Sequence, residues 1–319
     1  MGRYIIRRLL QAIVMLLLLS VGFFALLHLI PGGPEAVLFN PRVPLSARVA
    51  LRASYGLDKP LPEQFLLWIW NVLHGNFGNS FADGQLVTSD IAVRAPYTFW
   101  LFVAAFSVAL LVAIPLGVIA AVKQYSLTDY LATVLSYFGI SMPIFFFALI
   151  LQVVFGRFGV PTFGASASDT TGFSVLDNLE DRVIHLFLPT IALSLAFIAG
   201  WSRYLRSSML DVIKQDYIRT ARAKGLGGRI IFFRHALRNA LIPLITQVAL
   251  DFGFIAGGAT ITETVFGYPG LGRLFYDSLT ARDYPILQAM LILGAASVIA
   301  FNLLADVLYA VVDPRIRYA

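Results

Sequence analysis

The chain has 319 residues, of which 58% are hydrophobic and only 13% charged, and its mean hydropathy is +0.78. Soluble domains carry roughly 25% charged residues, so a soluble fold is excluded. The absence of cysteine excludes a disulfide framework, thiolate metal sites and thiol catalysis. A formal charge of +6 raises the question of nucleic acid, which the distribution of that charge decides.

Long apolar runs recur from the start of the chain. Residues 9–30 hold no formal charge and reach about 33 Å at about 1.5 Å per residue, enough to cross a bilayer core. Arg3, Arg7 and Arg8 precede this run as they would precede a signal peptide. The apolar part exceeds the roughly 7 to 15 residues of a signal core, and no A-x-A site follows, so it reads as a retained helix. Further spans are predicted over 97–122, 131–155, 183–202, 240–262 and 285–312.

Six crossings put both termini on one side. With the termini cytoplasmic, 15 of the 24 Lys and Arg fall inside and 12 of the 18 Asp and Glu fall outside, as the positive-inside rule requires. The basic balance therefore reports topology, and nucleic acid is not an expected partner. The expected fold is all-α: a polytopic membrane protein with a single transmembrane domain over 1–319, six helices and an extended outer loop after the first.

That outer stretch, 31–96, is too long and too patterned for a simple connector. Pro60 and Pro62 open a segment in which Phe65, Leu66, Ile69, Val72 and Leu73 recur at helical spacing up to Gly75, which predicts a short amphipathic helix. Trp68 and Trp70 in it suit either the membrane interface or packing against the bundle. Residues 156–181 are rich in Gly, Ser, Thr and Asp and predict an irregular outer loop.

The inside stretch 203–238 holds 9 basic and 2 acidic residues and is broken by Gly225, Gly227 and Gly228. Two helices joined by a tight turn are predicted. Lipid headgroups account for part of the charge, and docking of a partner protein is the expected use of the rest.

No G-x-x-x-x-G-K-[ST] occurs, so the chain supplies no P-loop. There is no H-E-x-x-H or G-x-S-x-G, and His28, His74, His185 and His235 lie far apart. No catalytic residue and no metal site is expected. Asp251 and Asp306 fall within predicted spans, where an ionisable group is costly and faces a cavity or a partner. Asp306 is near enough to the cytoplasmic end to reach water or pair with an arginine. Asp251 sits near mid-helix and either lines a path or packs. Gly253 and Gly257 form G-x-x-x-G with Gly258 beside them, and Ala192, Ala196 and Gly200 repeat small residues; such faces pack closely, within the chain or against another subunit.

YIRTARAKGL at Tyr217 to Leu226, followed by RHALRNALIPLI at Arg234 to Ile245, resembles the coupling motif of dipeptide and oligopeptide ABC-importer permeases. The resemblance extends through RYIIRRLLQAI, LIPGGP at Leu29 to Pro34, YGLDKPLPEQF at Tyr55 to Phe65, HGNFGNSF at His74 to Phe81, ETVFGYPGLGRL at Glu263 to Leu274 and DPRIR at Asp313 to Arg317. It implies a type I ABC importer permease fold in the bacterial or archaeal inner membrane. The implied assembly has a second homologous permease, two cytoplasmic ATPase subunits and an extracytoplasmic substrate-binding protein.

The same resemblance makes Tyr217, Arg219, Thr220, Ala221, Arg222, Ala223, Lys224, Gly225 and Leu226 the ATPase-coupling residues. No cofactor binds this chain, because ATP and Mg belong to the partner ATPases. Arg219 stands where the generic motif has Glu, and Pro243 lies eighteen residues after Gly225. Glu263 and the turn from Tyr268 to Gly272 are placed at the outer mouth, as a gate, a docking surface for the binding protein, or a structural turn. The alternative function is an ion-coupled secondary transporter using Asp251, although no inverted repeat is evident.

Overall fold

The computed structural model describes residues 2–30, 56–167 and 174–312. Among these the chain is helical, with one isolated bridge between Asn79 and Leu86. The elements are α1 (Gly2–Leu29), α2 (Leu61–Leu73), α3 (Val87–Val122), α4 (Leu127–Ser141), α5 (Ile144–Gly156), α6 (Val175–Ile213), α7 (Asp216–Ala223), α8 (Gly228–Gly257), α9 (Thr260–Val265), α10 (Leu271–Ala281) and α11 (Tyr284–Val312). Within α8, Ile231–Leu237 is wound as a π-helix and Gly253–Gly257 as a 3₁₀-helix. Most of LIPGGP and all of DPRIR lie outside the described residues.

The centre of the bundle is the pairing of α3 with α6. Lipid tails are as apolar as the helices, so close approach and dispersion have to hold the helices together. Gly117 provides that approach, since a Cβ there would stand 2.6 Å from the Ser202 carbonyl oxygen. Ala105, Ala109 and Ala113 line the same buried face of α3. An aromatic cluster ties in the other spans: Phe106 lies 4.7 Å from Phe197, 5.0 Å from Trp201 and 5.2 Å from Phe252, and Phe252 meets Phe301 at 5.2 Å. The cluster joins α3, α6, α8 and α11; the three Phe106 contacts have the edge-to-face geometry that aromatic rings favour, and Phe252–Phe301 is tilted at 44°. α1 packs on α11, and Arg8 pairs with Asp306 at 2.6 Å.

The third crossing is not the straight helix predicted over 131–155. It bends by 101° between α4 and α5. Pro143 has no N–H to continue the ladder and pushes Met142 out of the helical region, to φ −74° and ψ 118°. Contacts along α6 nevertheless run in order: Asp129 with Arg206, Ser136 with Ser202, Gly139 with Ala199, and Phe155 with Phe187. The broken pair thus traverses α6 from one end towards the other, as a single span does, which gives six candidate crossings among the described residues.

Other boundaries shift as well. α3 begins ten residues before the predicted start at 97 and passes through Pro96. α6 begins at Val175, because Ser174 Oγ accepts from Asp177 N at 3.2 Å while Asp177 accepts from Ser174 N at 2.8 Å, a capping box. The outer loop predicted up to 181 is therefore helical from Val175. The fifth span runs from Gly228 to Gly257 and not over 240–262; Gly258, at φ +72°, ends it. The stretch 203–238 contains three helical pieces where two were predicted, since α6 stops at Ile213 and α7 starts anew at Asp216.

Candidate functional site

α6 is far longer than a bilayer crossing needs and ends in a basic pole. Beyond its end the eight residues of α7 lie on the body through Ile218 and Ala221, which are buried against the main core together with Ile231. The remainder of α7 faces outward: Arg219, Thr220, Arg222 and Ala223 are exposed, as are Lys224 and Leu226 beyond it. Tyr217 is tied down by its hydroxyl, which accepts from Asn239 Nδ2 at 3.1 Å.

The C-terminus of α7 is closed by two backbone bonds, Leu226 N to Ala221 O at 3.3 Å and Gly225 N to Arg222 O at 2.9 Å. This is a Schellman motif, and its left-handed residue is Gly225 at φ +77°. Arg219 makes an exposed 3.4 Å contact with Asp216. Among the described residues no carboxylate lies within 4.0 Å of Arg222 or Lys224. The result is a short, rigidly seated ledge with uncompensated positive charge.

The two membrane acids have different settings. Asp306 is held by Arg8, the arginine pairing expected for it. Asp251 accepts from Trp201 Nε1 at 2.7 Å and from Gln247 Nε2 at 2.9 Å, so both of its oxygens are engaged. Trp201 itself is a fully buried member of the aromatic cluster, and it brings α6 and α8 together at this acid.

At the pole opposite the basic ledge, Glu263 on α9 is 0% exposed. α10 starts after Gly270, which has no side chain to cap it. The Glu263 carboxylate does so from a distance in sequence. Its Oε2 accepts from Arg273 N at 3.0 Å, and its Oε1 accepts from Thr98 Oγ1 at 2.8 Å and Ala259 N at 3.2 Å. Thr98 Oγ1 in turn accepts from Leu271 N at 2.7 Å. Any side chain at Gly270 would run into the carboxylate and Thr98.

Burial pushes the Glu263 carboxyl above its ordinary range, opposed by the N–H and O–H donors around it. Burial and the nearby Glu263 likewise raise Tyr268. Of the predicted packing glycines, Gly253 brings α8 onto α11, where its Cβ would stand 3.0 Å from Val298 Cα. Gly257 faces open space, and Gly258 belongs to the turn that follows.

Sequence reasoning missed three features. The Asp129–Arg206 pair, with bonds of 2.6 and 2.8 Å, spans 77 residues of sequence and had no local signal. The Glu263 cap of α10 was equally nonlocal. The S-x-x-D at Ser174 to Asp177 was readable as a helix start.

Two family models match nearly the whole chain: the binding-protein-dependent transport system inner membrane component over residues 113–318, and the N-terminal region of such membrane components over 1–102. The chain belongs to this family. This permease is 42% identical to the oligopeptide transport system permease protein AppB of Bacillus subtilis, with all of both chains covered. It is 40% identical to the dipeptide transport system permease protein DppB of Escherichia coli, covering 100% of this chain and 99% of that one. Identity to the glutathione transport system permease protein GsiC of Pectobacterium atrosepticum is 39%, again over both full lengths. The permease is a transport subunit and not an enzyme, and its fold is that of type I ABC importer permeases.

Proposed function

We propose that the permease forms half of the translocation path of an ATP-driven importer for peptides or a similar small solute, by alternating access. Its partners in this reading are a second homologous permease, an extracytoplasmic binding protein and two ATPases that hold the ATP and Mg. The termini and the basic pole face the cytoplasm. The observation that carries the reading is the ledge of α7, whose apolar side is locked into the body while Arg222 and Lys224 stand outside with no carboxylate partner among the described residues. A ledge so fixed transmits displacement, and an acidic groove on an ATPase supplies the missing charge. Energy reaches the permease as differential binding of its conformations to open and closed ATPase pairs.

The relatives transport oligopeptides, dipeptides and glutathione by their names, which supports peptides as the substrate class. In this reading Tyr217, Arg219, Thr220 and Leu226 complete the ATPase contact, Asp251 lies beside the path, and Glu263 holds the shape of the outer mouth. The ion-coupled alternative has less support, because Asp251 is already engaged by two donors and the chain's own family is that of binding-protein-dependent transport systems. The test is the double variant Arg222→Glu, Lys224→Glu in the assembled transporter. ATPase subunits are expected to be lost on purification, together with uptake. Retention of both at wild-type levels overturns the coupling assignment.

A further inference from the structure

The helix α2 carries apolar residues on two faces. One is spent on the protein: the rings of Phe65 and Trp68 stand 5.5 and 5.9 Å from Phe24, and Gln64 Oε1 lies 3.3 Å from His28 Nε2. Those contacts fix its depth. Phe24 and His28 belong to the apolar span Ile6–Leu29, and from Phe24 to its end the span rises only about 8 Å. α2 therefore lies beside the last turn and a half of α1, at membrane depth, and not beyond its end.

The second apolar face is covered by none of the described residues. Leu66 is 64% exposed, Trp70 62% and Leu73 75%, at the i, i+4, i+7 spacing of one helix edge. Leu26 and Leu29 of α1 are exposed as well. On the neighbouring edge stand Glu63, Asn71 and His74, all exposed, with Glu63 paired to Lys59 at 2.9 Å and the His74 ring 4.3 Å from that of Trp70. Three sectors thus run around one helix, facing protein, apolar surroundings and water, with Leu67, 38% exposed, the apolar residue within the water edge. That division is what the boundary between headgroups and acyl chains selects, with Trp at the border.

We propose that α2 is an in-plane lipid anchor: its Leu66–Trp70–Leu73 edge is seated in the acyl boundary of the leaflet opposite the basic pole, and its Glu63–Asn71–His74 edge faces water. The partner is the bilayer surface itself. The anchor fixes one end of α1 in depth while the Arg8–Asp306 pair fixes the other end to α11.

The chain contains no cysteine, so single spin labels report single sites. Leu66→Cys, Leu73→Cys, Glu63→Cys and Asn71→Cys are labelled in the assembled transporter, reconstituted in vesicles of phosphatidylethanolamine and phosphatidylglycerol. The wild-type chain with the same partners gives the background. The ratio of oxygen to nickel-chelate accessibility is expected above unity at 66 and 73 and below unity at 63 and 71. Nickel access at 66 and 73 equal to that at 71 places the edge in water and overturns the proposal. Loss of access to both reagents at 66 and 73 shows a protein cover and overturns it equally. A second readout is quenching by lipids brominated near the headgroup, taken as the difference between wild type and Trp70→Phe; no difference counts against the anchor.

Discussion

Replacing Glu263 by alanine tests whether the buried carboxylate is the cap of α10 or a participant in transport. The side chain accepts three hydrogen bonds, from Thr98 Oγ1, Ala259 N and Arg273 N. Hydrogen bonds to charged groups contribute about 1.5 to 3 kcal/mol each, and orphaned buried donors cost a similar amount, so non-additive loss sums to about 4 kcal/mol. For a chain of this size that corresponds to a fall in Tm of roughly 10 °C.

Glu263→Gln keeps the volume and one acceptor oxygen but turns an NH₂ towards the start of α10. Its cost is about 1 to 2 kcal/mol, a fall of about 5 °C. The assay is the temperature at which half of the purified transporter leaves the monodisperse peak in gel filtration, with uptake measured per folded transporter. Capping predicts graded loss of stability, Ala beyond Gln, with uptake retained in Gln. An alanine variant within about 2 °C of wild type, or a Gln variant of full stability that no longer transports, refutes the reasoning.

The same acid predicts a pH dependence. Its folded pKa is raised, so the protonated form is favoured on folding; its contribution is fully present below the unfolded value of 4.5 and is lost as pH rises through the higher folded value. Thermal stability measured upward from pH 4.5 should therefore decline more in wild type than in Glu263→Gln, and parallel curves would contradict the assignment. Arg206→Ala strands Asp129, which is 3% exposed, and should cost about 3 to 5 kcal/mol, with Lys milder than Ala because it restores the charge but not the fork; a Lys variant as stable as wild type would argue against the forked geometry. Asp251→Asn still accepts from Trp201 once the Gln247 amide turns over, so the stability loss should stay near about 1 kcal/mol. A clear loss of uptake in that variant would mark the charge as part of the path, and unchanged uptake would make it a packing group.

Much of the architecture was legible because membrane crossings are written in composition. Six candidate spans, the amphipathic α2 before Gly75 and the break at Gly225 follow from runs, spacing and turn residues, whereas the stop at Ile213 that makes α7 a helix of its own does not. The arginine expected for Asp306 proved to be Arg8, at the other end of the chain. What was not legible is direction and tertiary pairing. An apolar run containing Pro143 announces a span but not a turn of 101°, since hydropathy is blind to the helix axis. The Asp129–Arg206 fork and the Glu263 cap depend on residues far apart in sequence, and no local periodicity reports them. Helix ends lie beyond the apolar runs wherever a span continues past them, as α6 does on both sides, because apolar content marks the membrane-crossing part of a helix and not its charged extensions.

The length of α6 has a mechanical meaning. Gly117 of α3 admits the α6 backbone at Ser202. From that point α6 extends 27 residues to Val175 and 11 residues to Ile213, arms of about 40 Å and about 16 Å at about 1.5 Å per residue. If α6, which carries Pro189 in its long arm, moves as one body about that contact in the proposed transport cycle, a stroke at the short arm is multiplied about two and a half times at the long one. A push of about 2 Å on the Ile213 end becomes about 5 Å at Val175, comparable to one helical turn. The gearing is set by where one glycine sits.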